Sequence, residues 1–253
     1  MWRIIATISF VGMIVVNALA NALPINGLTT GDVSDLYPNL FTPAGITFSI
    51  WSVIYLMLAG FIIHGWRHVQ EDRITRLLPI FVITCVLNVS WILVWHNLLP
   101  AVSVMVMLLL LLTLVILFLK IQRDVSRTKT TVLFVVSPFA FYLAWICVAT
   151  IANISAWLAA LPATALTSTP EVWTIIMMAV AAALAVWLFL RYQRPEFTAV
   201  VFWALLGIFI RWRGSAYDLV RTGSIALMVL LLVITIIGLV KRPARSPGHT
   251  QKA

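Results

Sequence analysis

Eight long apolar stretches, separated by short polar connections, make up most of the chain: about 4–23, 43–63, 77–96, 98–119, 131–158, 171–190, 197–212 and 222–240. Each is close to the roughly 20 residues that an α-helix needs to cross a hydrocarbon core. The pattern therefore predicts an all-α integral membrane protein with eight transmembrane helices. Several stretches carry polar or aromatic stripes. At the start of the second, Thr42 is placed to cap a helix and Pro43 to fill its first position, where the missing N–H has no partner to lose. Trp51 and Tyr55, four residues apart, then share one face. In the third, Asn88, Trp91 and Trp95 follow an i, i+3, i+7 stripe, and Pro100 opens the next helix after a tight turn. In the fifth, Pro138, Tyr142, Trp145, Asn153 and Trp157 recur along the helix. Pro138 predicts a kink there, with a freed carbonyl that needs a partner such as Ser137. The fourth stretch is nearly all Leu, Val and Met, a packing or lipid-facing surface without chemistry.

The first stretch follows a single Arg and ends in Ala18-Leu19-Ala20, the outline of a cleavable signal peptide. Asn17 and Asn21, at helical spacing beside Ala18 and Ala22, suit close packing with interhelical hydrogen bonds instead, and a retained helix is the reading adopted. The longest connection, 24–42, has acidic residues and no basic ones, and Gly27, Gly31 and Pro38 interrupt regular structure. A connection of this length over a compact bundle reads as an external lid or binding segment. Trp173, Trp187, Trp203 and Trp212 lie mostly near the ends of the last three stretches, as an interfacial aromatic belt does.

Composition narrows the class. The chain of 253 residues is 62% hydrophobic and 10% charged, outside the range of soluble domains. A net charge of +9 would suit nucleic acid if it were clustered, but the basic residues are spread over short loops and act as topology signals. With the N-terminus inside, fourteen of the 17 Lys and Arg fall on the inner side. The three exceptions, Arg211, Arg213 and Arg221, flank the last outer loop. Both termini are thus expected in the cytoplasm, with a disordered basic tail over 241–253. Cys85 and Cys147 both fall mid-span, so no secreted disulfide framework is expected.

The chemistry of catalysis finds little support. Every Asp and Glu lies in a loop or at a helix end, which leaves no paired carboxylates in the membrane, and no Ser, His and acid share a face. All four lysines lie away from mid-membrane, which excludes a retinal Schiff base, and the lack of buried charge weakens ion-coupled transport. His64 and His68, followed by Glu71 and Asp72, have a formal metal-ligand spacing but read as interfacial, and His96 beside Trp95 reads as an interface marker rather than a haem ligand. No catalytic and no metal-binding residue is assigned. What stands out is three amides, Asn17, Asn88 and Asn153, at mid-membrane depth with tryptophans a turn away. Interhelical hydrogen bonds explain the amides; a flat aromatic cavity explains both features together.

Three blocks carry a resemblance. Phe41-Thr42-Pro43-Ala44-Gly45, Phe48-Ser49-Ile50-Trp51 and Tyr55 fall on helix two, Asn88-Val89-Ser90-Trp91 on helix three, and Pro138, Trp145, Ala149-Thr150, Asn153 and Trp157 on helix five. In this order they resemble the translocator proteins, or tryptophan-rich sensory proteins, also called TspO/MBR or peripheral-type benzodiazepine receptors. The resemblance covers roughly residues 1–160. It implies a five-helix bundle that binds hydrophobic ligands, tetrapyrroles among them, in an aromatic cavity under the loop joining helices one and two, and it implies dimers. Light-dependent porphyrin breakdown is an activity implied by the same resemblance alone. The chain departs from the pattern in its three additional spans and in lacking the Tyr and following Arg of the cholesterol-recognition motif at the end of helix five.

The expectations are then specific. Residues 1–160 form a ligand-binding bundle with a lid over 24–42, and 161–240 add three helices. The candidate ligand-binding residues are Trp51, Tyr55, Asn88, Trp91, Trp95, Tyr142, Trp145 and Asn153, with Pro43 and Asn21. The expected ligand is a flat hydrophobic molecule, with porphyrin or haem as bound candidates and no required cofactor. The expected partners are that ligand, the lipid bilayer and a second copy of the chain, with no nucleic acid. The expected location is a bacterial plasma membrane. The alternative is a facilitator or permease for a small apolar or neutral solute, or a membrane-embedded partner subunit.

Overall fold

The computed structural model describes residues 1–23, 25–68, 70–126, 128–162 and 169–241, so the proposed tail lies outside the described residues after Lys241, as does Pro24 of the lid. Eight long helices follow the apolar stretches: α1 (Trp2–Ala22), α2 (Ile50–Arg67), α3 (Leu78–His96), α4 (Pro100–Asp124), α5 (Ser137–Ala159), α6 (Pro170–Tyr192), α7 (Glu196–Trp212) and α8 (Asp218–Val240). Seven of these helical regions are long and apolar enough to cross a membrane. The remaining one, α7, has 17 residues and reaches only about 26 Å at 1.5 Å per residue, just under the thickness of a hydrocarbon core. No strand occurs among the described residues. Large apolar side chains such as Leu56, Leu109 and Val229 cover the outside, as a lipid-facing surface requires.

Helix α5 is the axis of the molecule. The span containing it is 67% buried, against 17% for that of α8, and it touches α2, α4, α6 and α7. Helix α1 packs closely on α3 and less closely on α2, while α6, α7 and α8 pack on one another and join the rest chiefly through α7. Polar residues tie the first bundle internally. Asn17 Nδ2 on α1 donates to Asn88 Oδ1 on α3 (2.8 Å), and Asn88 Nδ2 donates to Tyr142 Oη on α5 (3.2 Å). In a medium that offers no water, such groups need internal partners, and here three helices are joined through one fully buried amide.

Two local expectations are corrected. Helix two does not start at Thr42 with Pro43 in its first turn. Pro43 belongs to the connection, Ala44 is extended (φ −59°, ψ 146°), a 3₁₀ turn runs over Gly45–Ser49, and the α-helix begins at Ile50. The cause is tertiary: the Ala44 N–H, which a helix would have left unpaired, donates to Gly207 O on α7 (3.0 Å). The lid is also more regular than its glycines suggested. Thr29 and Asp32 form a reciprocal capping box that starts a helix over Thr30–Asp35, with Gly31 inside it. Pro138 does mark an irregularity: a π-helical turn, Val132–Val136, precedes it. The Ser137 hydroxyl, however, donates to Glu196 on α7. That acid stands at a helix end, as expected, yet is buried.

Candidate functional site

Helices α2, α3 and α5 direct aromatic rings into one space beneath the lid. Trp51 and Tyr55, one turn apart on α2, stack at 5.5 Å with an interplanar angle of 22°. Trp91 and Trp95 on α3 stack at 6.1 Å and 16°. Trp145 on α5 meets Trp51 edge to face at 6.2 Å, and Phe48 from the 3₁₀ turn meets Trp145 edge to face at 6.3 Å. Aromatic pairs favour these offset and T-shaped geometries because the ring edge is positive and the face negative. The helical spacings of the sequence are what bring each pair into register.

Two spaces adjoin these rings. An inner cavity of about 40 Å³ lies under the lid and is walled by Trp51, Trp91, Trp95 and Trp145, by Pro43 from the connection, and by Asn153. Its far side is closed by Ala204 and Ile208 of α7. The second space is a cleft of about 470 Å³ between α1 and α2, with Asn17, Asn21, Trp51 and Tyr55 among its walls. Thr30, Phe48 and Trp51 line both.

The candidate residues therefore separate into three groups. Trp51, Trp91, Trp95, Trp145, Asn153 and Pro43 face the inner cavity, while Asn21 and Tyr55 face the cleft. Asn88 and Tyr142 lie behind the wall, fully buried, with Asn88 bonded to both Tyr142 and Asn17. Asn153 accepts from Ser103 Oγ of α4 (2.8 Å), so the apolar fourth helix supplies one polar anchor to the cavity wall. The indole N–H groups of Trp91 and Trp145 are buried without an acceptor. Among the described residues no ionisable one lines the inner cavity, which matches an apolar occupant.

The lid is held from two sides. Trp95 Nε1 donates to Thr30 O (3.3 Å), the Thr30 hydroxyl meets His96 Nε2 (3.2 Å), and Tyr37 packs on Trp95 at 5.7 Å. Partial burial raises the Tyr37 hydroxyl pKa above its ordinary value, and the capping bonds from Thr29 lower that of Asp32. On the opposite side, α7 reaches over. Trp203 Nε1 donates to Thr47 O and Trp212 Nε1 to Leu40 O, both at 2.9 Å, and Arg211 pairs with Asp35 at 2.8 Å.

These α7 contacts were missed by sequence reasoning. Trp203 and Trp212 were assigned to an interfacial belt, and their acceptors are backbone carbonyls, which leave no mark in a sequence. The available signal was Gly207 between them. A Cβ there would stand 2.0 Å from Thr47 Oγ1, so glycine is what lets α7 approach the start of helix two. The ion pair also accounts for Arg211, one of the three basic residues on the side assigned outside.

A family model described as TSPO-like protein matches residues 3–237. The chain belongs to the TSPO-like protein family. The match runs through α6, α7 and most of α8, so the additional helices are part of what this family shares rather than an appendage. Membership and the long apolar helices make the chain an integral, multi-pass membrane protein of the sensor and receptor type. No characterised protein and no solved structure matches it. Among the described residues no group of three or more His, Cys, Asp and Glu could hold a metal ion, and the rings of His64 and His68 lie 4.1 Å apart, tilted by 36°.

Proposed function

We propose that this TSPO-like protein is a membrane sensor that binds a flat hydrophobic ligand, with a tetrapyrrole as the best-fitting class. The observation that carries this reading is the aromatic wall at Trp51, which stands between a small cavity under the lid, walled also by Trp91, Trp95 and Trp145, and a cleft of about 470 Å³ between α1 and α2. Stacking on indole faces supplies affinity for a flat ring without demanding charge. We place both termini in the cytoplasm of a bacterial cell because fourteen of the 17 basic residues then lie inside.

Titration of detergent-purified protein with protoporphyrin, followed by tryptophan quenching, tests the reading. Saturable quenching that is weakened in Trp51→Ala is expected. Absence of saturation in the unaltered protein, or identical curves in the variant, sinks it.

A further inference from the structure

We infer that the cleft between α1 and α2 is the groove in which the ligand's ring lies, reached sideways from the outer half of the bilayer, with Trp51 as the partition to the inner cavity. This rests on the ligand-binding reading above and adds where the ligand sits and how it arrives.

The first argument is size. About 40 Å³ under the lid is room for a water molecule or so, whereas the cleft, at about 470 Å³, falls within the roughly 300–1,000 Å³ of small-molecule sites. A flat ring of several fused or linked heterocycles fits the second space and not the first. The second argument is the wall. The stacked pair Trp51–Tyr55 offers a flat aromatic face. The Tyr55 hydroxyl itself is buried with no surface open to the cleft, so what the pair presents there is ring surface. Opposite stands Ala18, whose small side chain keeps the groove open. Polar groups of the cleft are amides and hydroxyls without ionised side chains, so the part of the ligand within it is neutral and any acidic substituent points outward past Asn21.

The third argument excludes the other route. Opening the lid breaks the links that α7 makes to it, Trp212 Nε1 to Leu40 O and the Arg211–Asp35 pair, and strains those just beyond it, Ala44 N–H to Gly207 O and Trp203 Nε1 to Thr47 O. The hydrogen bonds between α1 and α2, Arg3 Nε to Gly65 O and Trp66 Nε1 to Thr7 Oγ1 (both 3.0 Å), lie at the opposite end of the two helices from the cleft. Helix α1 packs mainly on α3, and Ala18, Asn21, Ser49 and Ser52 are exposed along the opening. Trp51 borders both spaces, so rotation of one side chain joins them.

The test uses the full chain in phosphatidylcholine vesicles, with protoporphyrin IX supplied from donor vesicles and tryptophan quenching followed by stopped flow. Ala18→Trp fills the cleft and is expected to slow association and weaken affinity at least tenfold. The lid variant Trp203→Phe/Trp212→Phe is expected to change the association rate less than twofold. Tyr55→Leu, which keeps an apolar side chain but removes the ring stacked on Trp51, is expected to weaken affinity severalfold and decides the matter if Ala18→Trp does not fold. Unchanged binding in Ala18→Trp or Tyr55→Leu, or faster association in the lid variant, overturns the inference while leaving the binding function intact. No saturable binding in the unaltered protein overturns the functional reading itself.

Discussion

Gly207→Ala is the sharpest probe of how α7 serves the site. The added Cβ would lie 2.0 Å from Thr47 Oγ1 and 2.9 Å from both Thr47 Cβ and Cγ2. Rotating the Thr47 side chain relieves the hydroxyl contact but leaves its Cβ, so α7 and the 3₁₀ turn must separate. Separation stretches the bonds from Ala44 N–H to Gly207 O (3.0 Å) and from Trp203 Nε1 to Thr47 O (2.9 Å). Overpacking of this kind costs about 1–3 kcal/mol, and each hydrogen bond lost adds about 0.5–1.5 kcal/mol. A destabilisation of about 2–6 kcal/mol follows if both bonds are lost, partly offset by the better helix propensity of alanine, about 1 kcal/mol. Thermal unfolding in detergent, followed by near-ultraviolet circular dichroism, reads it as a lowered Tm. Thr47→Ala removes two of the three clashing atoms, so the double variant Gly207→Ala/Thr47→Ala should recover at least half of the loss. A Gly207→Ala protein as stable as the unaltered one, or a double variant no better than the single, would refute close approach of α7 to the lid.

Three further outcomes follow from the same geometry. Asn88→Leu severs the link between α1, α3 and α5 and should destabilise the bundle by about 1–2 kcal/mol in detergent unfolding, the range found for interhelical polar bonds in membranes; a neutral effect would contradict the bonding of Asn17 and Tyr142 to it. Arg211→Ala removes an ion pair whose side chains are 28% and 54% exposed, so its cost should stay below about 1 kcal/mol and vanish at high salt. The Asp32 pKa is held below 3.8 by the backbone and side-chain bonds from Thr29. A depressed folded-state pKa stabilises above the unfolded value and is lost as pH falls through the folded one, so the amide-exchange protection factors across Thr30–Asp35, taken relative to the intrinsic rate at each pH, should fall on acidification below pH 3.8, and Asp32→Asn should abolish that pH dependence.

The spans were legible because hydropathy over 20 residues is a strong signal and the bilayer dictates helix length. The stacked pairs Trp51–Tyr55 and Trp91–Trp95 were legible for the same periodic reason. The role of Asn88 was only half legible. A mid-membrane amide must be paired, and reading it as interhelical glue or as a ligand group were equally consistent with its place on the stripe; the register of α1 against α3 decides that Asn17 takes it. The start of helix two was placed seven or eight residues early because Thr42 and Pro43 satisfy every local rule. Only the distant Gly207 carbonyl draws Ala44 out of the helix. The size of the inner cavity was not legible at all, since it depends on how far Ala204 and Ile208 of α7 intrude.

The three additional helices make physical sense once α7 is seen as the part that meets the site. A 17-residue helix with a buried Glu196 at one end, Trp203 at its middle committed to the Thr47 carbonyl and Trp212 at its other end to the lid carbonyl of Leu40 is poorly suited to stand alone in lipid, where a charged or unpaired group costs several kcal/mol. Its neighbours remove that difficulty. Helix α5 offers the Ser137 hydroxyl to Glu196, and Thr235 of α8 donates to Thr198 of α7 at 2.8 Å. Helix α8 in turn lies tight on α6, because Gly223 and Gly238 leave space that Ile175 and Phe189 occupy; a Cβ at either glycine would fall within 2.5 Å of those side chains. Helices α6 and α8 therefore act as a buttress, and α7 as the element they hold against the lid. The family match from residue 3 to 237 fits this division of labour, because a lid latched from α7 needs every helix that keeps α7 in place.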